Sequence, residues 1–138
     1  MDYEEIEQFK DRDIIGFVEP VVVIKSKSKE LLLNARIDTG ATKCSIDEQL
    51  VKELKLGPVI GETTVRNANG TEKRNMIEVN FRIANKTMKE VFTIANREQM
   101  IFPVLIGRNV LRKGFIVDPN KKTQNIPKEQ SSLEGYLK

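Results

Sequence analysis

Ile77, Val79, Phe81 and Ile83 occupy every second place of one short run. That period builds a half-buried strand, because successive strand side chains point to opposite faces. Residues 91–95 read as its antiparallel partner across a turn at 84–86. Similar short runs recur along the chain. Residues 14–24 (IIGFVEPVVVI) are rich in β-branched side chains, and Pro20 predicts an edge or a bulge there. Lys25, Lys27 and Lys29 alternate with serines in a segment that reads as a solvated turn rather than a phosphate-binding patch. Residues 30–37 (ELLLNARI) form a second strand that ends at Asp38. Residues 63–67 and 71–77 flank Asn69-Gly70, a pair suited to a two-residue type I′ turn. Residues 102–107 are a short apolar strand closed by glycine, followed by a brief helix over 109–112 and a last strand over 114–117. One longer helix is predicted, with Ser45 as N-cap and Glu48 three places on. Ile46, Leu50, Val51 and Leu54 share its face, and Gly57-Pro58 stops it. The fold class is mostly β, with one clear helix and one short one.

A chain of 138 residues supports one domain. Its boundaries read as an acidic arm over residues 1–13, a domain over 14–118, and a polar tail over 119–138 expected to be disordered. The opening residues lack the basic and apolar regions of a signal peptide, no run is long enough to span a membrane, and there is one cysteine. The expectation is a cytoplasmic protein without a membrane partner. With 23 basic and 20 acidic side chains the net charge is +3, and the basic residues are dispersed. No nucleic-acid partner is implied. The chain has no histidine, which excludes Ser-His-Asp and Cys-His catalysis, and with one cysteine it excludes a Cys/His zinc site. Acid–base chemistry near neutral pH would fall to carboxylates.

The candidate for that chemistry is Asp38-Thr39-Gly40, where a buried strand breaks into a turn. Gly40 allows close backbone approach, Ala41 leaves room beside it, and the Thr39 hydroxyl can hold the turn. The apolar run from Leu31 partly desolvates Asp38. By itself, D-T-G is weak evidence, since Asp and Gly are ordinary turn residues.

Residues 37–46, IDTGATKCSI, resemble the active-site segment of retropepsin-like aspartic proteases, and residues 104–111, VLIGRNVL, resemble that family's second signature. The Asn-Gly hairpin lies between the two, where the family carries its flap. A narrower resemblance, in FVEPVVV, VRNANGTEKRNMIEV, NREQMIFPVLIGRNVL and GFIVDP, is to the small retropepsin-like proteins associated with RimK-type ATP-grasp ligases, which add glutamates or similar amino acids to protein tails. Members often carry the label ATP-dependent zinc protease, but this sequence has neither a nucleotide-binding glycine loop nor a zinc ligand set. The resemblance implies an acid-protease half-barrel with a flap hairpin, in which one strand passes through the loop holding the catalytic turn. It implies Asp38, Thr39 and Gly40 as the catalytic turn, and Ala41, Arg66, Asn69, Gly70 and Ile106 as substrate contacts. Gly107 and Arg108 would give structural support. It implies no metal and no cofactor. Two copies would pair so that two Asp38 carboxylates share a proton, one activating water while the other polarises the scissile carbonyl of an extended peptide.

The chain departs from the viral pattern after D-T-G-A, where Thr42 and Lys43 replace acidic residues, so the partner of Arg108 is open. A polar flap with Arg66, Lys73 and Arg74 suits an acidic peptide, though a solvated hairpin accounts for the same charges. Cys44 reads as a small buried thiol, Asp47 as a first-turn helix residue, and Asp118 as a turn start. Two functions are consistent with these residues. One is a homodimeric aspartic endopeptidase. The other is a non-catalytic module of the same fold that grips a peptide or partners a RimK-type ligase.

Overall fold

A computed structural model of the chain describes residues 11–97 and 100–122. Most of the acidic arm and of the tail, residues 1–10 and 123–138, lies outside the described residues. The described residues form nine strands and two short helices. In order these are β1 (Asp13–Ile15), β2 (Val18–Ser26), β3 (Lys29–Ile37), β4 (Cys44–Asp47), α1 (Glu48–Leu54), β5 (Val59–Asn67), β6 (Gly70–Ile83), β7 (Lys86–Ala95), β8 (Val104–Ile106), α2 (Arg108–Leu111) and β9 (Phe115–Val117).

Seven strands pair in the order β2-β3-β8-β4-β7-β6-β5, and β2 also pairs β6, so the sheet closes on itself. Closure removes open edges from six of these strands, and β5 continues outward along β6. The alternating run behaves as its period requires. Ile77, Val79, Phe81 and Ile83 are all buried, and Phe81 meets Phe92 of β7 edge-to-face with ring centroids 5.3 Å apart. Val21 and Val23 of β2, Leu31 and Leu33 of β3, and Val104 and Ile106 of β8 fill the same interior. Each such side chain contributes about 1.5–3 kcal/mol by leaving water. The other half of β6, from Gly70, leaves this core and is paired along its length with β5.

Several elements differ from the sequence reading. Residues 14–24 are two strands, because Gly16 and Phe17 break the run. β1 joins a separate parallel pair with β9, and the Phe17 carbonyl accepts the Ile37 N–H at 2.8 Å. Ser45 does not cap a helix. It and Ile46 lie in β4, which pairs parallel to β7 and antiparallel to β8, and these non-local ladders override the local capping pattern. Asp47 is the N-cap, its Oδ2 accepting the Gln49 N–H at 3.0 Å. The helix ends at Lys55 in the left-handed region rather than at Gly57, and Lys25 Nζ donates to the Lys55 carbonyl at 2.6 Å. Lys25 is therefore tied to the helix end rather than simply solvated. The β5–β6 turn is centred on Ala68-Asn69, one place earlier than expected. Only Gly70 carries a positive φ there, of 119°, so the type I′ geometry is not formed.

The packed body also reaches past Asp118. The Asp118 N–H donates to the Ile15 carbonyl, and Lys121 Nζ lies 3.0 Å from Oε1 of the buried Glu19. At the other end, Lys86 Nζ donates to Asp13 at 2.7 Å and lies 4.9 Å from the centre of the Phe115 ring.

Candidate active site

The loop 38–43 joins β3 to β4, and β8 runs between those two strands, parallel to β3 and antiparallel to β4. Backbone bonds stitch the loop to β8 and α2 from end to end. Asp38 N–H donates to Ile106 at 2.9 Å, Arg108 N–H to Ala41 at 2.8 Å, and Asn109 N–H to Thr42 at 3.2 Å. Gly107 stands where the two segments cross. A Cβ there would lie 2.6 Å from the Lys43 backbone carbon and oxygen, so only glycine lets them approach. Behind the crossing, Asn109 Oδ1 accepts the Cys44 N–H at 3.0 Å and its Nδ2 donates to Val91 at 2.9 Å. The Cys44 thiol is fully buried and pushed up to about 12, chiefly by burial and further by Glu90, so it is a packed group and not a nucleophile.

Within this frame Asp38 is half-buried, and its Oδ1 accepts the Gly40 N–H at 2.9 Å. That bond fixes the carboxylate over its own turn. Arg108 supplies the second clamp, donating from Nη1 to the Thr39 carbonyl at 3.1 Å and from Nη2 to the Thr42 hydroxyl at 3.2 Å. The arginine thus holds the loop through neutral acceptors, with Thr42 in the place of a carboxylate.

Asp38 opens into a cavity of about 730 Å³ lined by Gly40, Ala41, Thr42, Lys43, Ser45, Thr93, Arg97 and Leu105, and roofed by Thr63, Thr64, Val65, Arg66 and Arg74 of the β5–β6 hairpin. Among the described residues Asp38 is the only carboxylate lining it, against four cations: Lys43, Arg66, Arg74 and Arg97. Arg97 is 8% exposed, with Nε donating to the Phe102 carbonyl at 2.9 Å and Nη1 to Ser45 Oγ at 3.2 Å. Burial and then the neighbouring Arg74 hold its guanidinium below the ordinary arginine value, against the pull of Asp47 and Asp38. Arg74 itself is paired with Glu72 on the hairpin.

A family model described as RimB-like, retropepsin-like aspartic endopeptidase RimB, matches residues 52–128, more than half of the chain. This chain belongs to that family. Three solved structures share its fold. A Legionella pneumophila protein of unknown function, Lpg0085, is 21% identical, with a TM-score of 0.55 over 80% of this chain and 95% of that one. The EIAV protease complexed with the inhibitor HBY-793 is 18% identical, with a TM-score of 0.56 over 78% and 92%. A foamy viral protease–reverse transcriptase in complex with an RNA/DNA hybrid is 23% identical, with a TM-score of 0.53 over 80% of this chain and 12% of that one. No curated protein sequence matches.

In this RimB-like chain Asp38, Gly40, Ala41 and Arg66 meet around one cavity. Four other expected site residues are not among its lining. Thr39 is exposed and contributes its carbonyl to the Arg108 clamp, while Asn69 and Gly70 lie at the hairpin tip. Ile106 is fully buried in the core, and strand alternation turns its neighbour Leu105 to the cavity instead. Gly107 and Arg108 lie outside the cavity lining, Gly107 packed against the Lys43 backbone and Arg108 bonded to the Thr39 carbonyl. Arg97 went unread because nothing in the sequence distinguishes an arginine just after a strand from a solvated one. Its burial arises from the loop that returns through Phe102 to β8.

Proposed function

We propose that the protein is an aspartic endopeptidase working as a homodimer, with one Asp38 from each chain. The observation that carries this reading is a clamped Asp38 turn facing a cavity whose described lining holds no second carboxylate. One carboxylate cannot act as base and acid together, so a second copy must supply the other. The ionised Asp38 would take a proton from water as the protonated Asp38 donates to the scissile carbonyl oxygen. Two such carboxylates in contact share one proton, and their titration belongs to the pair. The β5–β6 hairpin would act as a flap, closing on a peptide that binds as a strand. Lys43, Arg66, Arg74 and Arg97 favour an acidic peptide, such as the glutamate-rich tails that RimK-type ligases build.

The test is solution mass and cleavage of a peptide library, including glutamate-rich members, across one concentration series. Wild type should dimerise and cleave in step, and Asp38→Asn should dimerise without cleaving. A monomer inert at every concentration would leave a peptide-binding module that uses the same cavity.

A further inference from the structure

We infer that Arg97 is the residue of the Asp38 cavity that reads a substrate carboxylate, and that the shared site therefore selects a peptide acidic on both sides of the scissile bond. The second half of this inference rests on the two-chain protease reading. The four cavity cations are not equivalent. Arg74 already has Glu72 as its partner, while Lys43 and Arg66 are more exposed than Arg97, so water and salt weaken their charges. Arg97 is buried, yet it lines the cavity. Its guanidinium bonds go to neutral oxygens, from Nε to the Phe102 carbonyl and from Nη1 to Ser45 Oγ. Asp47 does not pair with that guanidinium. Its Oδ1 accepts the Arg97 backbone N–H at 2.7 Å and its Oδ2 the Gln49 N–H. Among the described residues no carboxylate forms an ion pair with Arg97. A cation held out of water without a counterion lowers stability, and a bound carboxylate would complete the arrangement.

The site is also ordered in advance. Two bonds fix the guanidinium plane, and the Ser45 hydroxyl that accepts one of them keeps its own proton to donate to a ligand. In this partly desolvated place a charge-assisted bond is stronger than at the exposed Arg66. Symmetry supplies the rest. A two-fold axis that brings two Asp38 carboxylates together also brings two Arg97 guanidiniums, one to each half of the site. An extended peptide crosses both halves with its scissile bond at the axis, so each arginine meets one side of it. A run of acidic residues satisfies both arginines, and a single acid satisfies one.

The experiment takes the glutamate-rich library peptide that wild type cleaves fastest and replaces glutamate by glutamine before the cleaved bond, after it, or on both sides. For wild type, kcat/KM should fall about tenfold with either side neutralised and about a hundredfold with both. In Arg97→Gln these ratios should collapse to within about threefold, and Arg97→Lys should restore part of them. An arginine that only props the 97–103 loop would instead lower cleavage of all these peptides alike, and that result would overturn the proposal. A loss confined to one side would overturn the two-sided rule. A loss on amidating the peptide C-terminus would overturn the assignment to side-chain carboxylates. A second measurement keeps Arg97 in place. In Asp38→Asn, the Arg97 Nε–H NMR signal should move with hexaglutamate and stay put with hexaglutamine. A signal that stays put while hexaglutamate binds would overturn the carboxylate contact. A signal that moves, in a protein that cleaves nothing with Asp38 present, would keep that contact and remove the protease reading, and the two-sided rule with it.

Discussion

The Asp38 loop and the β5–β6 hairpin line the same cavity but are held in opposite ways. The loop is crossed by β8, bonded along its backbone to α2, and backed by buried Cys44 and Ile106. The hairpin past Met76 has mostly exposed side chains and depends on its own ladder, with surface pairs such as Lys73–Glu62 at 3.9 Å. In the proposed protease the carboxylate would thus be placed by the more heavily bonded side. The side that would admit a peptide is held by contacts of low individual worth. A substitution should therefore read mainly as lost stability on one side and as altered substrate affinity on the other.

The largest contrast should come from Gly107→Ala. The added methyl meets backbone that has little room to move, so denaturant unfolding should report a loss of about 3 kcal/mol. A loss under about 1 kcal/mol would mean that the crossing yields and is less rigid than its bonds suggest. Asn109→Ala should cost about 1–3 kcal/mol by the same measurement, because it orphans the Cys44 N–H and the Val91 carbonyl behind the loop. On the hairpin, Glu62→Gln should change stability by no more than about 0.5 kcal/mol, since its pair is exposed and screened. Arg66→Gln should be similarly silent in unfolding yet raise KM for glutamate-rich peptides over neutral ones. Equal effects on both peptides would remove the hairpin from acid selection.

The smallest effect concerns Glu90. Its burial would raise its carboxyl, but Lys113 and the Val91 N–H outweigh that and leave it below the ordinary value. A depressed carboxylate stabilises the fold above its unfolded value, and that contribution is lost as pH falls through the folded one. The melting-temperature gap between wild type and Glu90→Gln should accordingly be present near neutrality and close in acid. A gap that widens in acid would contradict the sign.

Much of the barrel was legible because its period is local. The alternation at 77–83 and the apolar run at 104–106 identify core strands without any knowledge of their partners. The crossing of β8 through the Asp38 loop came from resemblance, since no spacing in the chain encodes a threaded strand. What stayed hidden depends on pairing between distant segments. Ser45 makes a sound capping pattern with Glu48 and is still in a strand, because β7 and β8 hold it on both sides. The hairpin turn shifted by one residue because a single glycine, not an Asn-Gly pair, takes the positive φ. Arg97 became a cavity residue only through tertiary burial, which leaves no periodic trace.

The central claim, that each working site takes one Asp38 from each of two chains, is tested most directly by mixing wild type with Asp38→Asn at fixed total concentration. If both carboxylates are required, an equal mixture should keep about one quarter of the wild-type activity, the share of dimers with two aspartates. Retention of about one half would show that each chain works by its own Asp38, and the shared site would be wrong.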